Sequence, residues 1–231
     1  MAWSRRGLSE LQIRVLQALK GVEGSWLSGG AALGGFHTEH RRSYDLDLFC
    51  EQADAVDELG RRLELWAATR GLGCERRQSY PGFRRYVVEG DGERTLVDLV
   101  HEPAEQVVPD NPEIDGLRVE PIRELRANKL AALLGRGETK DLEHLYVLEG
   151  AGWPALDGLE DARRKDGSME ASTLAWVLAA MRRSRRADAG GTGSRPGTQG
   201  LPRPAGGGAT TVRLSGLGVA GRHPIKPSGL R

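Results

Sequence analysis

The strongest constraint on the fold comes from a Gly29-Gly30 pair and, shortly after it, two aspartates set in an apolar run. The run Asp-Leu-Asp-Leu-Phe at positions 45–49 alternates charged and apolar residues, a pattern that predicts a short strand. Side chains alternate across a strand, so the carboxylates of Asp45 and Asp47 point to one face and the leucines to the other. The chain must therefore hold two like charges side by side next to its core.

Two adjacent carboxylates repel each other and are costly to hold near a core, and a divalent cation removes that cost. Oxygen ligands suit Mg²⁺ or Mn²⁺, and Mg²⁺ is commonly held by one or two carboxylates together with substrate phosphates. The pattern therefore favours a metal ion on Asp45 and Asp47. An Asp-x-Asp pair on its own also fits a solvated turn or strand end.

The glycine pair stands where a predicted strand at 25–27 gives way to a predicted helix at 31–36. Because Gly29 and Gly30 have no Cβ atom, their backbone can approach a phosphate closely, and a helix N-terminus supplies free N–H groups. Ser28 adds a hydroxyl donor at the same place. The alternative is a tight strand-to-helix turn without a ligand.

This segment resembles the AbiEii/AbiGii-type toxin nucleotidyltransferases of the DNA polymerase β-like superfamily. That family has a Gly-Gly turn, a short helix, and then His-Arg-x-Ser-x-Asp-Leu-Asp-x-Phe, and this chain has His-Arg-Arg-Ser-Tyr-Asp-Leu-Asp-Leu-Phe at 40–49. The resemblance continues through a later helical segment to Gly150. It implies an enzyme that binds an NTP with Mg²⁺ or Mn²⁺ and moves a nucleotide to an acceptor. Some family members modify the acceptor end of tRNA, and toxins of this kind act with an antitoxin partner.

A third carboxylate, Asp98, lies in the apolar run Leu-Val-Asp-Leu-Val. A charge in a buried strand is costly unless it is paired or metal-bound. In the superfamily such a carboxylate acts as general base or completes a two-metal site, so we expect Asp98 to be a catalytic residue and third metal ligand. The alternative is an outward-facing aspartate on an edge strand.

Ser43 precedes Asp45 by two positions, which places it on the same strand face. Its hydroxyl is expected to contact a phosphate; alternatively, Ser43 is only the residue that begins the strand.

A lysine in an apolar helical stretch, Lys129, either snorkels to solvent or, as the resemblance implies, contacts the nucleotide triphosphate in a catalytic role. The family more often has Arg-Asp-x-x-Asp after this helix, whereas here Lys140 replaces the arginine and His144 the second aspartate. The charge at position 140 is kept but bidentate donation is lost. We expect Arg136 to bind nucleotide and Asp141 to be catalytic by orienting Lys129 or Arg136. Asp141 alternatively favours only its own helix N-terminus.

The order of predicted elements indicates an α+β fold with a polymerase β-like core built on a mixed sheet, a helical C-terminal part, and a disordered tail. The expected boundaries are 1–120 for the nucleotidyltransferase core, 121–184 for the helical part and 185–231 for the tail. Helices are predicted at 9–19, 31–36, 53–69, 121–134, 140–148 and 171–183, and strands at 25–27, 45–50, 74–79, 84–89, 95–100 and 117–120.

Charge is distributed unevenly along the chain. Residues 182–231 hold ten basic residues and one acid, so their net charge is +9, which leaves −8 for residues 1–181 of a chain whose total is +1. The last segment is rich in glycine, proline and arginine and has almost no apolar periodicity, which predicts disorder.

Two cysteines without metal-ligand spacing and the lack of an apolar run long enough for a membrane span favour a cytoplasmic protein.

Two other functions remain open from the residues alone. The first is nucleotide transfer to a small molecule, as in aminoglycoside-modifying enzymes. The second is a non-catalytic module that binds nucleotide on the same fold. The basic tail either contacts RNA phosphates without reading sequence or is merely solvated.

Overall fold

The computed structural model describes residues 7–38 and 42–190, with side chains described as far as residue 181. The elements follow the α+β order predicted above. The α-helices are α1 (Glu10–Leu19), α2 (Gly29–Ala32), α3 (Ala53–Ala68), α4 (Ile122–Arg136), α5 (Thr139–Gly150), α6 (Leu159–Lys165) and α7 (Ala171–Gly190). The strands are β1 (Ser25–Ser28), β2 (Asp45–Cys50), β3 (Gly73–Tyr80), β4 (Phe83–Gly90), β5 (Glu93–His101), β6 (Glu113–Ile114) and β7 (Leu117–Arg118).

The sheet that carries the site has five strands in the order β1-β2-β5-β4-β3. Strand β2 runs parallel to β5 and antiparallel to β1, and β5-β4-β3 continue antiparallel, so the sheet is mixed and the predicted fold class is confirmed. Short strands β6 and β7 form a separate hairpin. The predicted edge strand at 117–120 is shorter than expected, and Val119 makes only a bridge to Leu27 of β1.

One face of the sheet packs against helices α1 and α3 and forms the main hydrophobic core. Fully buried side chains from each layer meet there, among them Leu16 of α1, Leu59 of α3, and Leu48 and Leu99 of the sheet. Helix α1 begins with a capping box in which the Ser9 hydroxyl accepts from the Gln12 backbone N–H and the Gln12 side chain accepts from the Ser9 N–H. This packing leaves the other face of β2 and β5 for the site.

Helices α4 to α7 form a second core from apolar side chains that include Leu130, Leu145 and Leu174. Helix α4 follows Pro121, as predicted, and ends at Gly137, whose φ of 62° is the left-handed conformation favoured at a helix C-terminus. Helix α6 was missed by the periodicity because it is only two turns long. Helix α7 extends to Gly190, beyond the predicted end at 183, so the first residues of the predicted tail are helical, and residues 191–231 lie outside the described structure.

The predicted helix at 31–36 is a short α-helical turn, α2, that continues as a π-helical turn over Leu33–Thr38. The π-helical turn packs against Leu8, which lies just before α1. A Cβ atom on Gly35 would lie only 2.8 Å from the Leu8 side chain, so there is no room for a side chain at position 35. The π-helical turn is therefore accompanied by a tertiary contact with Leu8.

In the part of the chain that the structure describes, no helix combines the length and apolarity that crossing a bilayer would need.

Candidate active site

Strand β2 spans the predicted residues and presents its carboxylates as the alternation requires. Leu46 and Leu48 are fully buried in the main core, while Asp45 and Asp47 keep partly exposed positions on the opposite face. In the parallel β2–β5 pairing Asp47 lies directly beside Asp98. The structure therefore brings the three predicted carboxylates to one face of two central strands, and the edge-strand alternative for Asp98 is wrong.

The Gly-Gly turn packs against the carboxylate strand with no space for a side chain. Gly29 has a φ of +68°, and a Cβ atom on it would lie 2.0 Å from Asp47 Oδ2. Both the backbone conformation and the contact require glycine here. The turn between β1 and α2 is thereby held against the Asp47 carboxylate.

The environment of Asp47 disfavours its charged form. Burial among protein atoms and the charges of Asp45 and Asp98 raise the pKa of Asp47 to about 7, although Lys129 and Lys140 act more weakly in the other direction. No hydrogen bond to the Asp47 carboxylate is present within the described residues. Asp47 is thus a carboxylate whose negative charge the described protein atoms leave undercompensated.

Asp98 is held by an arginine that the sequence did not single out. Arg85 of β4 donates from Nε to Asp98 Oδ1 at 2.7 Å and from Nη2 to Oδ2 at 2.5 Å. The side chain of Asp98 is 7% exposed and that of Arg85 30% exposed. Both oxygens of the predicted third carboxylate are therefore engaged by a bidentate ion pair. Nothing local in the sequence marks Arg85, because its partner is set by the pairing of β4 with β5.

A cationic group lies opposite the carboxylates, on helices α4 and α5. Arg136 donates to both oxygens of the fully buried Asp141, at 2.7 and 2.8 Å, and Lys129 Nζ lies 3.6 Å from Asp141 Oδ1. Burial opposes ionisation of Asp141, but the Arg136 hydrogen bonds and the charges of Lys129, Arg136 and Lys140 hold its pKa below the usual value. Lys129 is 4% exposed, so it does not snorkel. Asp141 contacts both cations, and its predicted catalytic role stays a prediction.

Between the two groups lie Gly30, Ser43 and His144. A Cβ atom on Gly30 would lie 3.2 Å from Ser43 Oγ and 3.5 Å from His144 Cε1, so both side chains lie against Gly30. Ser43 Oγ donates to Asp45 Oδ1 at 3.0 Å, which fixes the orientation of that carboxylate. His144, which replaces the aspartate more usual in the resemblance, is buried beside the glycine turn. Residues 39–41, which include His40 and Arg41 of the motif, lie outside the described residues.

Ser28 is paired with Asp47 across β1 and β2, but its hydroxyl is engaged by another carboxylate. Its hydroxyl donates to Glu120 Oε2 at 2.6 Å, and the Asn128 amide donates to Glu120 Oε1 at 2.9 Å. Burial raises the pKa of Glu120 to about 7 against the effect of these hydrogen bonds. The predicted nucleotide contact of Ser28 stays a prediction, since its hydroxyl is committed to Glu120 here. Sequence reasoning missed Glu120, for which the only signal was an acid directly before Pro121.

The carboxylate group fits a divalent cation in its donor chemistry. Asp45 and Asp47 present hard oxygen donors on one strand face, and burial together with the neighbouring carboxylates raises the pKa of Asp47 to about 7. Within residues 7–38 and 42–190, no cluster of three or more histidine, cysteine or acidic side chains is preassembled as a metal site. With Asp98 tied to Arg85, two carboxylates remain, the number that Mg²⁺ commonly takes when substrate phosphates complete its shell.

A Gly-Gly turn that packs on an Asp-x-Asp strand of a mixed sheet is the arrangement that the sequence resemblance predicts. The family model described as "Nucleotidyl transferase AbiEii toxin, Type IV TA system" matches residues 20–187, and the chain belongs to this family and is a nucleotidyltransferase. The resemblance read from the motifs is thereby confirmed. No curated protein sequence matches the chain.

Two solved structures from Helicobacter pylori and one from Megavirus match parts of the chain. JHP933 has 18% identity and a TM-score of 0.45, with 79% of this chain and 99% of that one covered. A candidate nucleotidyltransferase has 16% identity and a TM-score of 0.41, with 80% and 96% covered. The Megavirus polyadenylate synthase has 14% identity and a TM-score of 0.42, and the match covers 61% of this chain but only 31% of the viral one.

Proposed function

We propose that this chain is a metal-dependent enzyme that moves a nucleotide from an NTP to an acceptor, with tRNA as the expected acceptor, and that it acts as the toxin of a toxin–antitoxin pair. The observation that carries the proposal is the position of Asp47. Its carboxylate is pressed against the Gly29 backbone and has a raised pKa, and the cations of α4 and α5 lie within electrostatic range of it. A bound metal ion would neutralise the carboxylates, and a bound triphosphate would neutralise the cations of α4 and α5.

In this proposal Asp45 and Asp47 hold Mg²⁺ or Mn²⁺, which supplies charge neutralisation at the phosphates. Lys129 binds the triphosphate. Its Nζ has only the Asp141 ion pair at 3.6 Å and donates no hydrogen bond within the described residues, so its donors remain available. Gly30 offers backbone close to Ser43, and Arg136 adds charge, held in place by Asp141.

The reaction joins the acceptor to the α-phosphate. The acceptor hydroxyl oxygen forms a bond to the α-phosphorus while the bond from that phosphorus to the bridging oxygen of the β-phosphate breaks. Pyrophosphate leaves with the electron pair of the broken bond. The hydroxyl proton passes to one of the carboxylates Asp45, Asp47 and Asp98 and then to solvent. The residues around Asp47 contribute position and charge, which are the main sources of catalysis in phosphoryl chemistry.

The test is transfer from each of the four α-labelled NTPs, with Mg²⁺ or Mn²⁺, to an RNA pool that contains tRNA. We expect pyrophosphate release and label in RNA, and expect Asp45→Asn to abolish both while the thermal transition is kept. Lys129→Ala should raise the Kd for the NTP measured by calorimetry. Exposed Lys20→Ala, which removes the same charge far from the site, is the matched control.

Each rival function has its own result. Label that appears only in an added aminoglycoside would replace the RNA acceptor by a small molecule. Nucleotide binding without pyrophosphate release from any NTP would leave a non-catalytic binding module. For the toxin role, induced expression should arrest growth with the wild-type chain and not with Asp45→Asn, and co-expression of the antitoxin should restore growth.

A further inference from the structure

The Arg85–Asp98 pair lies on the same sheet face as Asp45 and Asp47, the carboxylates proposed to bind the metal ion. Asp47 is beside Asp98 in the β2–β5 pairing, and Asp98 is opposite Arg85 in the β4–β5 pairing. Neighbouring strands are spaced by about 4.8 Å, so the three side chains form a row across three strands. Arg85 is thus part of the site, although no motif contains it.

Only one edge of the Arg85 guanidinium is used by the protein. The bidentate contact to Asp98 takes Nε and Nη2, and Nη1 has no hydrogen-bond partner within the described residues. A guanidinium has five N–H donors, and the edge formed by Nη1 and Nη2 matches a phosphate as well as a carboxylate. Arg85 is therefore a rigidly held cation with a free phosphate-binding edge at a partly exposed position.

The order of the strands indicates which of the two substrates, NTP or acceptor, can bind to the free edge of Arg85. The Gly-Gly turn follows β1, on one side of Asp47, whereas Arg85 lies on β4, on the other side. Lys129 and Gly30, proposed to hold the triphosphate, belong to the glycine side. The acceptor would therefore bind on the other side of Asp47, over β5 and β4, where Arg85 lies.

An aromatic pair lies next to Arg85 on the same face. The rings of Tyr80 and Phe83 are stacked, with centroids 6.4 Å apart and planes 23° apart, at the tip of the β3–β4 hairpin. The Arg85 guanidinium lies 5.7 Å from the centre of the Phe83 ring. Tyr80 is 55% exposed. Aromatic rings beside a cation are the elements that bind the bases and backbone of single-stranded nucleic acids.

We propose that Arg85 binds a phosphate of a single-stranded polynucleotide acceptor, and that Asp98 is the positioning residue that holds Arg85 in place. The inference rests on the proposed function and specifies its acceptor side. It gives Asp98 a role as anchor in place of third metal ligand.

Binding of a short 5′-fluorescein-labelled single-stranded oligoadenylate, followed by fluorescence anisotropy, tests the role of Arg85. Arg85→Gln should raise the Kd for this probe roughly 10- to 100-fold, the usual effect of losing a charge-assisted contact. It should also reduce the slope of log K against log salt by about 0.7. Arg76→Gln is the matched control, because Arg76 is an exposed arginine of the adjacent strand on the opposite sheet face. Equal losses in the two variants, or none, would overturn the proposal.

Asp98 is tested with the double variant Arg85→Gln/Asp98→Asn, which avoids a buried unpaired charge and keeps the net charge of the site. As an anchor, Asp98 should leave Mn²⁺ affinity, measured by electron paramagnetic resonance, unchanged in this variant, and oligoadenylate binding should fall no further than in Arg85→Gln. A loss of Mn²⁺ affinity would make Asp98 a metal ligand and overturn the anchor role.

Neither measurement needs turnover, so failure of the inference and failure of the proposed function are distinguishable. A selective effect of Arg85→Gln on the oligonucleotide in a chain that transfers no nucleotide would refute the proposed function alone. Where transfer occurs, Arg85→Gln should raise the KM for RNA and leave the KM for NTP in place. Efficient labelling of kanamycin that Arg85→Gln does not change would refute the inference alone.

Discussion

Asp47→Asn should stabilise the protein in the absence of nucleotide and metal while it removes activity. The carboxylate of Asp47 lies beside Asp45 and Asp98, is desolvated, and has a pKa raised to about 7. In the unfolded chain it ionises near its ordinary value of 3.8. Folding at neutral pH therefore works against the charge of Asp47, and an asparagine of nearly the same shape removes that cost.

The magnitude follows from the shift in pKa. A shift of about three units corresponds to about 4 kcal/mol, since one unit is about 1.36 kcal/mol. Asp47 is partly exposed and titrates together with its neighbours, which reduces the expected gain to roughly 1–2 kcal/mol. For a chain of this size that gain raises Tm by roughly 2–8 °C.

The pH dependence has a definite sign. A carboxyl group with a raised pKa in the folded state destabilises the fold only when it is ionised. The difference between Asp47→Asn and wild type should therefore be absent near pH 4, grow between pH 4 and pH 7, and stay constant above pH 7. Because a metal ion binds the ionised form, Mg²⁺ should stabilise the wild type more at pH 8 than at pH 6 and leave Asp47→Asn unaffected.

Urea unfolding at pH 4, 6 and 8, with and without Mg²⁺, measures all of these effects. Asp110→Asn is the control, because Asp110 is exposed in the loop before β6 and its substitution removes the same charge far from the site. A variant that is less stable than the wild type at pH 8, or a stability difference that does not change with pH, would refute the reasoning.

Three further outcomes follow from the structure. Gly29→Ala should cost about 1–3 kcal/mol in urea unfolding and abolish transfer, because the new methyl group displaces the Asp47 carboxylate and the positive φ is strained; an active variant would contradict the close contact. Asp141→Asn should cost about 3 kcal/mol, since Arg136 and the buried Lys129 both lose the charge of Asp141, and a neutral effect would show that these ion pairs are dispensable. Deletion of residues 191–231 should leave Tm unchanged, because both hydrophobic cores of the described structure are built from side chains within residues 8–181, and loss of the thermal transition would contradict this.

The local parts of the site could be read from the sequence because they depend on neighbouring residues. Strand periodicity places Asp45 and Asp47 on one face wherever the strand packs, and a glycine pair between strand and helix marks a tight turn. The helical stretch around Lys129 followed from its apolar composition and Pro121. What periodicity left open at Lys129 was whether it reaches solvent, and burial against Asp141 settles that.

Only the tertiary structure decided the rest, because those contacts join residues that are far apart in the chain. The row from Asp47 through Asp98 to Arg85 depends on the parallel pairing of β2 with β5 and the antiparallel pairing of β5 with β4. A shift of one residue in either pairing would turn these side chains to opposite faces. The Ser28 hydroxyl likewise meets Glu120 only because the segment after β7 runs beside β1. Sequence alone thus identified the glycine turn, the Asp45 and Asp47 carboxylates and Lys129, whereas strand pairing added Arg85 and determined which of these groups meet.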